Sequence, residues 1–109
     1  MRPIKFRGKT YDNKTWIIFD LRQMLDEKYQ NAFIKKINSE TIQQFTGLLD
    51  KNGKEIFEGD IVKRDGNCKS ILVEWIEMYV GFNIQSGIAK EFEVIGNVWE
   101  NPELLTPKI

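Results

Sequence analysis

A chain of 109 residues is long enough for one modest hydrophobic core and too short for two independent ones. Its composition, with 41% hydrophobic and 29% charged residues, is typical of a folded globular domain and excludes an intrinsically disordered chain. The formal net charge is zero, but residues 1–47 hold 9 basic and 5 acidic side chains whereas residues 48–109 hold 7 and 11. This asymmetry fits either a charged partner surface or two halves that pack against each other.

The residue types that most often carry catalysis are scarce. The chain has no histidine, which removes the commonest general base and the commonest metal ligand. Its one cysteine, Cys68, lies in a turn-like stretch without an intramolecular disulfide partner, which favours an incidental thiol in a reducing compartment. No apolar run approaches the roughly 20 residues of a membrane helix, and the first residues lack the apolar segment of a signal peptide. We expect a cytoplasmic protein that does not enter a membrane.

The first predicted element is a strand over residues 3–9. Its residues alternate, with Ile4 and Phe6 on one face and Lys5, Arg7 and Lys9 on the other, which is the period of a half-buried strand. We therefore expect an apolar inner face and a basic, solvent-exposed outer face. A turn at 11–14 and a β-branched, aromatic segment at 15–19 complete a predicted hairpin.

A short helix is predicted next. Asp20 and Gln23 have the spacing of a capping pair, and apolar residues repeat at helical spacing over 21–30. Residues 32–37 and 41–46 are each weakly predicted as strands. Ser39 leaves open the alternative of one helical turn before the second of them.

The remaining segments predict a small β-structure. Asn52-Gly53 favours a turn with positive φ, and Gly59 precedes a strand that begins at Asp60. Strands are predicted at 61–64, 70–76, 79–85 and 91–99, with one helical turn after Pro102. Short loops between four such strands indicate a small curled sheet or barrel.

Three separated segments carry a family resemblance, and they are residues 4–7 (IKFR), 45–62 (FTGLLDKNGKEIFEGDIV) and 93–105 (EVIGNVWENPELL). In this order they resemble the YopX family of phage and prophage proteins. The resemblance implies one α+β, mostly β domain over residues 1–109, with an N-terminal β-rich part and short helix (1–47) followed by a C-terminal SH3-like small β-barrel (48–109). It implies no activity. Position 8 is Gly, where the family more often has Ala.

No chemistry-bearing motif emerges from the same segments. Residues 50–55 (DKNGKE) alternate oxygen ligands around a glycine, but they lack the spacing of a calcium loop and place two lysines beside the cation. Glu55, Glu58 and Asp60 could include an acid/base pair, although a solvated loop is favoured. There is no phosphate-binding glycine loop and no nucleophile elbow. We predict no catalytic residue, no cofactor and no metal site.

Three functional hypotheses remain. The leading one is a non-enzymatic accessory protein that binds a host or phage protein in the bacterial cytoplasm. The second is nucleic-acid binding, and its candidate contact residues are Arg2, Lys5, Arg7 and Lys9, with Lys35 and Lys36 as further candidates. The third is an enzyme of unrecognised type built from Asp, Glu, Lys or Tyr. Homo-oligomers are compatible with each hypothesis, because a small β-rich chain has strand edges that pairing would cover.

Aromatic side chains are the other candidate contacts. Trp16, Trp75 and Trp99 could offer stacking surfaces to bases. At strand spacing, however, aromatic residues belong to the core more often than not, and we expect the core here as well.

Overall fold

A computed structural model of the chain describes residues 4–64, 69–76, 81–84 and 88–105. Within it the chain folds into two units, Met1–Phe45 and Thr46–Ile109. Strands supply most of the regular structure and both α-helices lie in the first unit, so the fold is α+β and mostly β, as the sequence predicts. Arg2 and Cys68 lie outside the described residues.

The first unit is built on a sheet with the strand order β2-β1-β3. Its strands are β1 (Lys5–Lys9), β2 (Trp16–Asp20) and the first part of β3 (Gln43–Leu49). β1 and β2 are antiparallel, with Phe6 opposite Phe19 and Lys9 opposite Trp16. Asn13 turns the chain between them with a φ of 61°. The predicted hairpin is confirmed.

The predicted helix is interrupted. It is replaced by α1 (Leu21–Leu25) and α2 (Glu27–Ala32). Asp20 and Gln23 form a capping box, in which each side chain accepts a hydrogen bond from the other residue's backbone N–H, at 2.8 and 2.9 Å. Asp26 ends α1, where its backbone N–H donates to the Gln23 carbonyl at 3.2 Å, and it begins α2, where its carboxylate accepts from the Lys28 N–H at 2.9 Å. No helix among the described residues is long and apolar enough to span a membrane.

The strand predicted at 32–37 is wrong. The chain instead leaves α2 through the 3-10 helix Ile34–Lys36, and Ile37 forms an isolated bridge with Thr10. A second 3-10 helix, Ser39–Thr41, precedes β3, which corresponds to the helical alternative left open by the sequence. Its cap is Asn38, whose side chain accepts from the Glu40 N–H at 3.1 Å and so competes with an extended backbone.

The interior of the first unit lies on the Phe19 side of the sheet. Phe19 is fully buried, Phe6 stacks on it with ring centres 5.8 Å apart, and Ile37 is also buried. Gly8 faces Ile37 so closely that an added Cβ would lie 2.3 Å from the Ile37 Cγ2 atom. Ile37, which follows the 3-10 helix, therefore packs directly against the backbone of β1 at Gly8.

The second unit contains the end of β3, which pairs with β4 (Glu55–Phe57), and a three-stranded sheet with the order β6-β5-β9. The strands of that sheet are β5 (Asp60–Arg64), β6 (Ser70–Leu72) and β9 (Phe92–Asn97). A two-stranded ribbon is formed by β7 (Trp75–Ile76) and β8 (Gly81–Phe82), and two 3-10 helices occupy Ala89–Glu91 and Pro102–Leu105. The predicted turn glycines are confirmed, because φ is 80° at Gly53 and 87° at Gly59.

The buried hydrophobic core of the second unit combines residues of β4, β5, β9 and the 3-10 helix Ala89–Glu91 with two residues outside these elements. Its members are Ile56, Val62, Val73, Ile84, Ala89 and Phe92. The strand predicted at 70–76 is divided at Val73, whose N–H donates to the Asp60 carbonyl at 2.8 Å. The described residues of this unit form open sheets rather than a closed barrel. The SH3-like barrel therefore stays a prediction. Residues 79, 80 and 85 of the predicted third strand lie outside the described residues.

Candidate interaction surfaces

Arg7 is buried on the face of the sheet opposite Phe19 and does not form part of an exposed basic face. Its side chain is 8% exposed, and its Nε and Nη2 atoms donate to Oε1 of Gln43 at 3.0 and 2.9 Å. The guanidinium carbon lies 4.6 Å from the centre of the Trp16 ring. The strand register explains this arrangement, since Gln43 is the partner of Arg7 on β3 and Trp16 is on β2. A planar cation over an indole face is stabilised by the ring quadrupole.

The two lysines of the same strand behave similarly. Lys9 is 9% exposed, with its ammonium nitrogen 5.6 Å from the Trp16 ring centre, and the Lys5 ammonium lies 4.8 Å from the Phe45 ring centre. The predicted outward basic face is therefore wrong for Arg7 and Lys9. Strand alternation shows which residues share a face but not which face meets solvent, and long basic side chains can lie along apolar surface. The structure brings these cations together and engages them with aromatic rings.

Several large apolar side chains are exposed in the first unit where β2 is followed by the helices. We name this region the helical apolar surface, and it consists of Ile18, Leu21, Leu25, Tyr29 and Phe33. Leu25 is 74% exposed, and Ile18, Leu21 and Phe33 are each about half exposed. Tyr29 connects the strand to α2, because its hydroxyl donates to the Ile18 carbonyl at 3.3 Å and its ring centre lies 4.8 Å from that of Phe33.

Sequence reasoning missed this surface. The sequence pattern predicts one continuous helix over 21–30 with its apolar residues on one face. The interruption at Asp26 changes the rotation of α2 relative to α1, so Met24 and Tyr29 are half-buried while Leu21 and Leu25 face solvent. Asp26 itself was the available indication, because an Asp in mid-helix favours a cap over continuation.

The tryptophans also depart from expectation. Trp75 and Trp99 are 44% and 45% exposed, and Trp16 is half-buried over its cations, so none belongs to the buried core. Trp75 meets Phe82 across the β7-β8 ribbon in an edge-on contact, with ring centres 5.2 Å apart. The phenylalanines follow the expectation better, and four of them are buried: Phe19, Phe45, Phe57 and Phe92.

The carboxylate of Asp50 organises the loop after β3. Oδ1 accepts from the N–H groups of Asn52 and Lys54 at 2.8 and 2.9 Å, and Oδ2 accepts from the Val94 N–H at 2.9 Å. Burial raises the pKa of Asp50, but these backbone donors and the Lys54 charge outweigh it and hold the pKa below its usual value. Both oxygens are occupied by N–H donors, so this loop is a turn and not a cation site. Among the described residues, no cluster of three Asp, Glu or Cys could hold a metal ion.

Asp60 has a related structural role. It is almost fully buried, and its Oδ2 accepts from the Phe57 N–H at 2.8 Å. The expectation of a solvated loop is wrong at this position, because the carboxylate closes the tight turn between β4 and β5. Its oxygen is directed at backbone rather than at a substrate cleft.

The turn after β9 is closed in the same way. The side-chain oxygen of Asn97 accepts from the N–H groups of Trp99 and Glu100 at 3.0 and 2.9 Å. Asn101 folds back against Gly96, where an added Cβ would lie 2.5 Å from the Asn101 Oδ1 atom. The segments that carry the family resemblance thus supply turns and caps that hold the fold, while the exposed apolar residues of 18–33 lie outside them.

A family model described as YopX protein matches residues 5–106. Because this match spans nearly the whole chain, the protein belongs to the YopX family. The chain is also similar to a solved structure, the crystal structure of protein EF1440 from Enterococcus faecalis, with 25% sequence identity and a TM-score of 0.58 over 94% of this chain and 98% of that chain. No match to a curated protein sequence was found. The family relationship therefore supports the fold, and function has to be argued from the surfaces.

Proposed function

We propose that this YopX-family protein is a non-enzymatic binding module, encoded by a bacteriophage or prophage, that binds a host or phage protein in the bacterial cytoplasm. The observation that carries the proposal is the helical apolar surface. Scattered exposed hydrophobic residues are ordinary, whereas a contiguous apolar patch is typical of an interaction site. Here the exposed apolar residues follow one another in sequence through β2, α1 and α2, and Tyr29 links Ile18 to Phe33.

The chemistry of this surface fits a protein partner. Tyr29 and Phe33 supply aromatic area, and Leu21 and Leu25 supply aliphatic area. Charged residues on α1 and α2 surround them, and these are Arg22, Glu27 and Lys28, all exposed. An apolar, partly aromatic centre with a polar rim is the composition of protein–protein interfaces.

The two buried carboxylates favour a binding role over a catalytic one. Asp50 and Asp60 direct their oxygens at backbone N–H groups of the chain itself. A general base must instead reach the proton it abstracts from a substrate. We therefore assign these residues to folding, and we propose that the protein acts by occupying a surface. The SH3-like barrel implied for the second unit remains part of this proposal.

The test compares two leucines of similar chemistry on different elements. Purified protein is immobilised, exposed to bacterial lysate with and without nuclease, and the bound proteins are identified by mass spectrometry. Leu25→Gln should remove a protein that wild type retains after nuclease, because Leu25 is the most exposed member of the surface. Leu49→Gln, a half-exposed leucine on β3, should retain it.

Two results would contradict the proposal. One is that no protein is retained after nuclease, and the other is that both leucine variants lose the retained protein equally. Folding of each variant is checked by its amide NMR spectrum, so that loss of binding is not confused with loss of structure.

Nucleic-acid binding through Arg2, Lys5, Arg7 and Lys9 is the weaker alternative. The burial of Arg7 and Lys9 argues against it, because phosphates would have to displace existing contacts. With three or four phosphate contacts, binding should fall with salt with a log–log slope of about −3 to −4. Lys5→Gln should then weaken binding and Lys28→Gln should not, whereas equal affinity in both variants would exclude this route.

A further inference from the structure

A cleft of about 400 Å³ lies beside the hairpin turn of the first unit, and it is lined by Thr10, Tyr11, Asp12, Lys35 and Lys36. It forms where the turn after β1 meets the 3-10 helix Ile34–Lys36. The Tyr11 N–H donates to the Lys36 carbonyl at 3.1 Å, which fixes the two walls to each other. The volume is at the lower end of the ~300–1,000 Å³ range of small-molecule sites.

The charged groups of the cleft are not neutralised by each other. Lys35 and Lys36 are exposed, and within the described residues their ammonium groups have no hydrogen-bond or ion-pair partner. The Asp12 carboxylate is engaged within the turn, where its Oδ1 accepts from the Thr10 hydroxyl and, at 3.0 Å, from the Lys14 N–H. These bonds lower the pKa of Asp12, the Thr10 hydroxyl most.

The cleft therefore presents three different kinds of contact. Lys35 and Lys36 both line the cleft and give it two positive charges, which suit a phosphate with its negative charge and several acceptor oxygens. The Tyr11 ring is 68% exposed and offers a face on which a planar ring can stack. The second oxygen of Asp12 accepts hydrogen bonds from amino or hydroxyl groups.

We propose that this cleft binds one nucleotide unit, either a free nucleoside monophosphate or one unit of a single strand. An acidic peptide side chain would use the two lysines alone, and it has no ring for Tyr11 and no donor for Asp12. A nucleotide uses all three groups together: phosphate on Lys35 and Lys36, base on Tyr11, and sugar or base donors on Asp12. The site shares no residue with the helical apolar surface, so it does not depend on the proposed protein partner.

The test is a titration of isotope-labelled protein followed by NMR of the backbone amides. Adenosine, cytidine, guanosine and uridine monophosphates are added separately, with adenosine and inorganic phosphate as probes of each half of the ligand. We expect saturable shifts centred on residues 10–12 and 35–36, tighter for a nucleotide than for either half. Equal affinity for inorganic phosphate would overturn the proposal, and so would shifts centred elsewhere or an absence of saturable shifts.

Variants assign the contacts. Lys35→Gln with Lys36→Gln should reduce affinity by about ten-fold, because two exposed charge contacts together amount to roughly one ten-fold step. The double arginine variant should retain binding, and Lys28→Gln, on α2, is the matched control. Tyr11→Leu should reduce affinity several-fold.

A short oligonucleotide separates the two sources of the ligand. If it binds more tightly than the monophosphate with the same dependence on Lys35 and Lys36, the nucleotide belongs to a strand. If it binds no more tightly, the ligand is the free nucleotide. Equal loss of binding in the glutamine pair and in Lys28→Gln would contradict the site, since the effect would then be one of net charge.

Discussion

Arg7 and Trp16 lie on neighbouring strands, with the guanidinium carbon of Arg7 4.6 Å from the centre of the Trp16 ring. The same guanidinium donates through Nε and Nη2 to the side-chain oxygen of Gln43 on β3. Arg7, one of the basic residues that the sequence predicts to contact a partner, therefore has a structural role in the sheet. Its replacement should be detected first as a loss of stability.

We expect Arg7→Met to lower the free energy of unfolding by about 1–3 kcal/mol, because it removes two hydrogen bonds and leaves the buried Gln43 oxygen without these donors. Lys14→Met, in the exposed hairpin turn, should change stability by less than about 0.5 kcal/mol. Urea unfolding of the two variants measures the difference. Equal stability of Arg7→Met and Lys14→Met would show that the Arg7 contacts contribute nothing.

Asp50 gives an acid-dependent prediction. Its folded-state pKa is below the usual value of 3.8, so the ionised carboxylate stabilises the fold at neutral pH and this contribution is lost as pH falls through the folded-state pKa. Asp50→Asn should cost about 1–3 kcal/mol at neutral pH, because the amide cannot accept from all three backbone donors. It should also flatten the decline in stability at acid pH. Unfolding curves of wild type and Asp50→Asn, measured from neutral to acid pH, test this prediction. If Asp50→Asn loses stability at acid pH as steeply as wild type, the Asp50 carboxylate is not the group responsible.

Asp26 couples the two helices. Asp26→Ala removes the carboxylate that accepts from the Lys28 N–H, and loss of such a cap costs about 1 kcal/mol. Because the Gln30 side-chain amide of α2 donates to the Met24 carbonyl of α1, weakening α2 should accelerate amide exchange in both helices. Glu27→Ala, its exposed neighbour in the first turn, is the control and should leave the exchange of α1 unchanged. Acceleration confined to α2 would mean that the helices form independently.

Two glycines test different physical effects. At Gly53 an added Cβ meets nothing within 4 Å, so Gly53→Ala should cost about 1–2 kcal/mol through its φ of 80° alone. At Gly96 the cost should come from the Asn101 side chain, which lies within 3.0 Å of the added atom. Asn101→Ala should therefore partly rescue Gly96→Ala and not Gly53→Ala. Equal effects of Asn101→Ala on both variants, measured by thermal unfolding, would remove the steric explanation.

The features that the sequence predicts well are local. The hairpin, the capping box at Asp20 and Gln23, and the turns at Gly53 and Gly59 each depend on residues a few positions apart. Backbone preference and a nearby side-chain oxygen decide such features, and both are visible in the sequence.

The features that the sequence predicts poorly depend on residues far apart in the chain. Arg7 is buried because Gln43 lies opposite it, 36 residues along the chain, and no periodicity contains that information. The cleft likewise joins residues 10–12 to Lys35 and Lys36 through a bridge between Thr10 and Ile37. Leu21 and Leu25 are exposed because the helix is interrupted at Asp26, although the apolar residues of 21–30 have the spacing of one continuous helical face.

Position 8 leaves no room for a side chain, because an added Cβ would lie 2.3 Å from the Ile37 Cγ2 atom and 3.3 Å from a side-chain carbon of Ile42. A side chain at position 8 would therefore require Ile37 to shift or to be replaced by a smaller residue. In this chain the volume lies in Ile37, and the backbone of β1 is the surface against which it packs.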